Sequence, residues 1–139
     1  MARIILVDDD RLFARLVQAR LAADGHEVDW NEGAFGALTQ IRRGCYDVIL
    51  MDVQMPGIEG PALLGCLDRH GPGRARVVLM SSIEEERLRT LAEERGADAY
   101  FPKRHHIDRL ARMISGWTSN VSGSRSLTAN DPYEFRRTV

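Results

Sequence analysis

Cysteine is scarce, neither sign of charge is in excess, and no long apolar run is present. Each shortage excludes something. Cys45 and Cys66 are the only cysteines, and they share neither C-x-x-C nor Cys/His ligand spacing. That removes zinc ribbons and dithiol redox motifs. Both read as reduced, partly buried packing residues of a cytoplasmic protein, with a disulfide the weaker alternative. A formal net charge of -1 gives no global attraction to nucleic acid or to an anionic membrane. Neither is expected as a direct partner. No run approaches the roughly 18 apolar residues of a transmembrane helix. The N-terminus enters strand-like Arg3-Ile4-Ile5-Leu6-Val7, and Asp8 stands where a signal peptide would continue its apolar core.

What is present is an ordinary globular composition, 44% hydrophobic and 28% charged, over 139 residues. One folded domain is the prior. Apolar runs at Arg3 to Val7, Val48 to Met51 and Val77 to Met80 read as strands buried on both faces. Weaker runs at Glu27 to Trp30 and Ala99 to Pro102 read as outer strands, since Pro102 donates no ladder hydrogen bond. Helical patterns alternate with the strands. Leu12, Phe13, Leu16, Val17 and Leu21 mark the first and Ala34 to Ile41 the second. Leu63, Leu64 and Leu67, after Pro61, mark the third. Glu84 to Glu94 is the fourth, and Ile107, Leu110, Ala111 and Ile114 mark the fifth. Five alternations predict an α/β, flavodoxin-like, doubly wound parallel sheet of order 2-1-3-4-5, with five helices on both faces. The domain runs over 1–117. Residues 118–139 are Ser- and Asn-rich and read as a flexible or loosely docked tail, with Tyr133 and Phe135 able to anchor it to a groove.

The chemistry lies at the carboxyl ends of these strands, where ligands bind in open α/β sheets. Asp8 and Asp9 follow strand 1, Asp52 strand 3, Ser81 strand 4 and Lys103 strand 5. Three carboxylates, a hydroxyl and an ammonium then converge. Two unit charges 4 Å apart at an effective dielectric near 20 repel by about 4 kcal/mol, and one lysine cannot cancel three acids. A hard divalent cation such as Mg2+ can. The set suits phosphoryl transfer to a carboxylate nucleophile. Blander readings exist for each member alone. Asp52 could terminate its strand by bonding loop amides, Asp10 could cap the first helix, and Ser81 or Ser82 could cap the fourth. Lys103 could be a solvated surface residue and Tyr100 strand packing. Trp30 and Trp117 fall outside the cluster.

The motifs Val7-Asp8-Asp9, Met51-Asp52-Val53-Gln54-Met55-Pro56-Gly57, Ser81-Ser82 and Gly96-Ala97-Asp98-Ala99-Tyr100-Phe101-Pro102-Lys103, in that order, resemble the receiver domain of two-component response regulators. The resemblance covers Ala2 to about Trp117. It implies a phosphorylation-dependent signalling switch in which Asp52 accepts a phosphoryl group from a sensor histidine kinase or phosphotransfer protein. It implies Mg2+ held by Asp9, Asp52 and the Gln54 backbone carbonyl, with Asp8 acting through water. Ser81 and Lys103 would hold the phosphoryl oxygens. Ser81 and Tyr100 would form the switch. The fourth helix, fifth strand and fifth helix would then change affinity for an unidentified downstream protein, and homodimerisation through that face stays open. No enzyme activity is implied beyond self-catalysed phosphoryl transfer and autodephosphorylation. Arg104 stands where the family usually has proline, and Ile83 is apolar where many relatives are polar. The competing reading is a pseudo-receiver that binds partners without phosphorylation. A haloacid-dehalogenase phosphatase would want a second Asp where Gln54 stands, and a flavin module would not place three acids against a phosphate.

Overall fold

The computed structural model describes residues 1–55, 65, 74–118 and 131–135. Five strands, β1 (Arg3–Val7), β2 (Glu27–Asn31), β3 (Val48–Asp52), β4 (Arg76–Ser81) and β5 (Ala99–Pro102), form one sheet. All neighbouring pairs are parallel and the order is β2-β1-β3-β4-β5, as the alternation predicts. The described helices are α1 (Arg11–Ala23), α2 (Ala37–Arg43), α3 (Glu85–Glu94) and α4 (Ile107–Thr118). Here α3 and α4 are the fourth and fifth helices of the sequence reading. The third, after Pro61, falls outside the described residues, as do the Pro56-Gly57 turn and Cys66.

Local chemistry explains most boundaries. Asp10 caps α1, its carboxylate accepting the Phe13 N–H at 3.1 Å. Gly25, with φ of 86°, turns the chain after that helix. β1, β3 and β4 are almost wholly buried, which is why their sequences are apolar without alternation. β2 is half exposed at one end of the sheet.

Three details depart from the sequence reading. On α1 the buried stripe is Ala14, Val17 and Leu21, while Leu12 and Leu16 face outward. Cys45 is free and exposed, not packed. Neither serine caps α3, whose N-cap is Glu84. Residues 131–135 lie against β5, where Ala99 pairs antiparallel with Glu134 and Tyr133 is buried, the anchoring by Tyr133 and Phe135 that the sequence allows.

Register decides where the acids meet. Val7 is paired with Met51, Asp52 with Met80, and Ser81 with Pro102. One step beyond Val7 is Asp8, so Asp8 and Asp52 emerge side by side at one edge of the sheet.

Candidate functional site

Asp8 is fully buried at the end of β1. Its Oδ1 accepts the Asp10 N–H at 2.9 Å. Its Oδ2 takes no directed hydrogen bond, although the Lys103 ammonium lies 2.8 Å away as an ion pair. Asp52, at the end of β3, is 3% exposed. Its Oδ1 accepts the Gln54 N–H at 3.0 Å, and Lys103 Nζ stands 3.4 Å from its Oδ2. Asp9 is exposed, and one oxygen from each of Asp8, Asp9 and Asp52 lies within 4.8 Å of the others.

These charges distort one another. Burial pushes the Asp52 carboxyl up to about 6, and the Asp8 charge adds to that. The Gln54 amide and the Lys103 ammonium oppose it without cancelling it. Burial alone would lower Lys103, but its contacts with Asp8 and then Asp52 outweigh that, and its affinity for the proton rises. The ammonium also sits 4.8 Å from the centre of the Phe13 ring. The Lys103 N–H donates to the Ser81 carbonyl at 2.9 Å, tying the end of β5 to the end of β4. Arg104 therefore does not prevent the lysine from reaching the acids. Peptide bonds among the described residues are all trans.

Ser81 is fully buried as the last residue of β4, and its Oγ accepts the Ile83 N–H at 3.1 Å. Gln54 is tied to the site by the hydrogen bond that its backbone N–H donates to Asp52 Oδ1. Tyr100 stands apart. Its ring is buried on β5 against Tyr133 and Phe135, with centroids 5.5 Å and 5.8 Å away.

Two neighbours escape a sequence reading. Phe13 looks like one more apolar residue of α1. Trp30 is not remote from the cluster: its indole Nε1 donates to the Asp8 carbonyl at 2.8 Å. That bond crosses from β2 to the β1 loop, and nothing in the spacing of residues 8 and 30 announces it.

A hard divalent cation fits this donor set. The ligands are carboxylate oxygens of three residues within 4.8 Å of one another, and a single ammonium stands against three acids.

Comparison with known proteins places the site in context. A family model described as the response regulator receiver domain matches residues 4–115. The chain is 31% identical over 121 residues to the sensor protein GacS of Pseudomonas syringae pv. syringae, covering 84% of this chain and 13% of that protein. It is 31% identical to the transcriptional regulatory protein PcoR of Escherichia coli, covering 82% of this chain and 50% of that one. The chain thus spans half or less of these relatives. Among solved structures, a CheY-like receiver domain protein from Methanospirillum hungatei JF-1 superposes with a TM-score of 0.75 at 25% identity, covering 86% of this chain and 94% of that one. The response regulator protein TrrA from Thermotoga maritima, solved in complex with Mg(2+)-BeF, gives 0.71 at 30% identity, covering 83% and 97%.

Proposed function

The chain belongs to the response regulator receiver domain family, and from that premise we propose that Asp52 is its phosphoacceptor. The observation that carries this is the placement of Asp8, Asp9, Asp52 and Lys103 around one point at the carboxyl edge of the sheet. Receiver domains work with sensor histidine kinases and downstream effectors. Which kinase and which effector serve this chain are questions for its site and its faces.

In the proposed reaction an Asp52 carboxylate oxygen forms a bond to phosphorus as the P–N bond of a phosphohistidine breaks. The electron pair returns to the departing imidazole nitrogen. Asp9, Asp52 and the Gln54 carbonyl would hold Mg2+, with Asp8 acting through water, and the ion would supply positive charge against the phosphoryl oxygens. Lys103, already beside Asp8 and Asp52, would meet the same oxygens from the protein side. Ser81 would give up the Ile83 amide to donate its hydroxyl proton to them, and Tyr100 would respond on the outer side of β5. The chain then acts as a phosphoacceptor with self-catalysed transfer and autodephosphorylation rather than as an enzyme on a separate substrate. Its place of work would be the cytoplasm. Among the described residues no helix is long and apolar enough to cross a membrane.

The test is incorporation of acid-labile phosphate from acetyl phosphate with Mg2+. The wild-type chain labels, and Asp52→Asn does not. Labelling that survives the substitution would reject Asp52 as the acceptor. The contacts of Lys103 with Asp8 and Asp52, made with Arg104 beside it, support this reading over the phosphorylation-independent alternative that Arg104 favours.

A further inference from the structure

A sheet edge is a row of unpaired donors and acceptors, ready to bind another strand. β5 is last in the sheet order, yet its outer edge is taken. The Tyr100 N–H donates to the Tyr133 carbonyl at 3.1 Å, and the Phe135 N–H donates to the Asp98 carbonyl at 3.0 Å. The pairing is antiparallel. Residues 131–134 form a turn, the Glu134 N–H donating to the Asp131 carbonyl at 3.0 Å, and the chain then runs along β5 through a single bridge, a short form of the strand addition in which main-chain bonds supply affinity and side-chain pockets supply specificity.

The pockets are there too. Tyr133 is 2% exposed. Its ring lies edge-on to both Tyr100 and Phe101, each at 5.5 Å. Its hydroxyl is 2.5 Å from His105 Nδ1 and accepts from Arg109 Nη1 at 2.9 Å. Glu134 accepts the Trp117 indole N–H at 2.6 Å and pairs with Arg76 at 3.4 Å. Phe135 packs on Tyr100. An aromatic, an acid and an aromatic in succession are therefore read by separate features of β4, β5, α4 and the loop between β5 and α4.

We propose that the outer edge of β5 is a peptide-docking groove, and that residues 131–135 of the chain are its resident occupant. A partner using this face must displace them. The significance of the face rests on the receiver reading, in which Tyr100 responds to phosphorylation; the groove itself does not. Residues 119–130 join the occupant to the end of α4, so it competes at the high effective concentration of a short tether, in the millimolar range. A partner binding here should carry an aromatic-acidic-aromatic segment led in by a turn, as residues 131–135 are.

Amide hydrogen exchange on the full chain tests this. In Tyr133→Ala/Phe135→Ala the Tyr100 amide should exchange at least tenfold faster than in wild type. The Lys103 amide, bonded inward to Ser81, should be unchanged. A synthetic peptide of residues 130–136 should restore Tyr100 protection in the variant, at concentrations at least tenfold lower than those at which a labelled copy binds wild type. Equal Tyr100 exchange in the two proteins, or no protection by the peptide, overturns the proposal. If the double variant also loses protection at Lys103, Glu134→Ala, which keeps both rings, is read by the same amides and criteria. Phosphate labelling of the same wild-type preparation separates the two ideas. Absent label rejects the phosphoacceptor reading and leaves the groove, whereas unchanged Tyr100 exchange rejects the groove and leaves the phosphoacceptor.

Discussion

Asp52 carries a cost that pH can remove. Its carboxyl is raised from 3.8 to about 6 in the folded chain, chiefly by burial. The folded state therefore binds the proton more tightly than the unfolded one. Without metal, the penalty is fully present above pH 6 and fades as pH falls toward 4. Two units correspond to about 3 kcal/mol at most. Metal-free Asp52→Asn should be more stable than wild type by about 2 kcal/mol at pH 8, since burial of the amide takes back part of the gain, and equal to it near pH 4. Urea midpoints across that range check this. His26 works with the opposite sign. It is buried, its Nδ1 accepts the Ala2 N–H at 3.0 Å, and its Nε2 has no partner. Burial, then the nearby N-terminal charge, holds its pKa below the usual 6.5. Its contribution is intact above that pH and is lost as pH falls and the unfolded chain takes the proton. In the Asp52→Asn background stability should fall from pH 7 to pH 5, and adding His26→Gln should flatten that slope.

At the scale of elements, the α2–β3 junction depends on one glycine and one ring. A Cβ on Gly44 would lie 2.3 Å from Tyr46 Cε2. The Tyr46 hydroxyl donates to Asp29 at 2.6 Å and accepts from Gln40 at 3.3 Å, joining α2, β2 and the start of β3. Gly44→Ala should cost about 2 kcal/mol by displacing the ring. Tyr46→Phe should cost about 1 kcal/mol through its lost hydrogen bonds. In a Tyr46→Ala background the Gly44 substitution should cost little, a coupling that denaturation of the four proteins in a double-mutant cycle would measure. The same scale shows where sequence patterns mislead. Leu12 and Leu16 have helical spacing with Val17 and Leu21, but the α1 face toward the sheet is set by Ala14, Val17 and Leu21. Periodicity gives a stripe, and only packing says which edge of it is buried.

For the whole molecule, three acids gathered at the sheet edge should make stability respond to a divalent cation. Saturating a site at 100 times its Kd adds about 2.7 kcal/mol, which raises Tm by several degrees in a chain of this size. Millimolar Mg2+ should raise the wild-type Tm toward that limit, as far as its Kd allows, and do less than half as much for Asp9→Asn, against sodium at matched ionic strength. Trp30, bonded to the Asp8 carbonyl, provides a fluorescence signal for the same titration. A wild-type Tm indifferent to Mg2+ would mean that Asp9 and Asp52 do not share an ion.

Sequence by itself determined the alternation of strands and helices, the order of the sheet and the line of polar residues at its carboxyl edge. Each of those is a local signal: unbroken apolar runs for buried strands, a cap or glycine at a boundary, an acid or lysine one step past a strand. Tertiary structure alone decided that Lys103 reaches Asp8 and Asp52 with Arg104 beside it, that Trp30 touches the site, and that residues 131–135 close the β5 edge. Those contacts join residues far apart in the chain. They are fixed by register and by the direction a side chain leaves its strand, and no short window of sequence contains either.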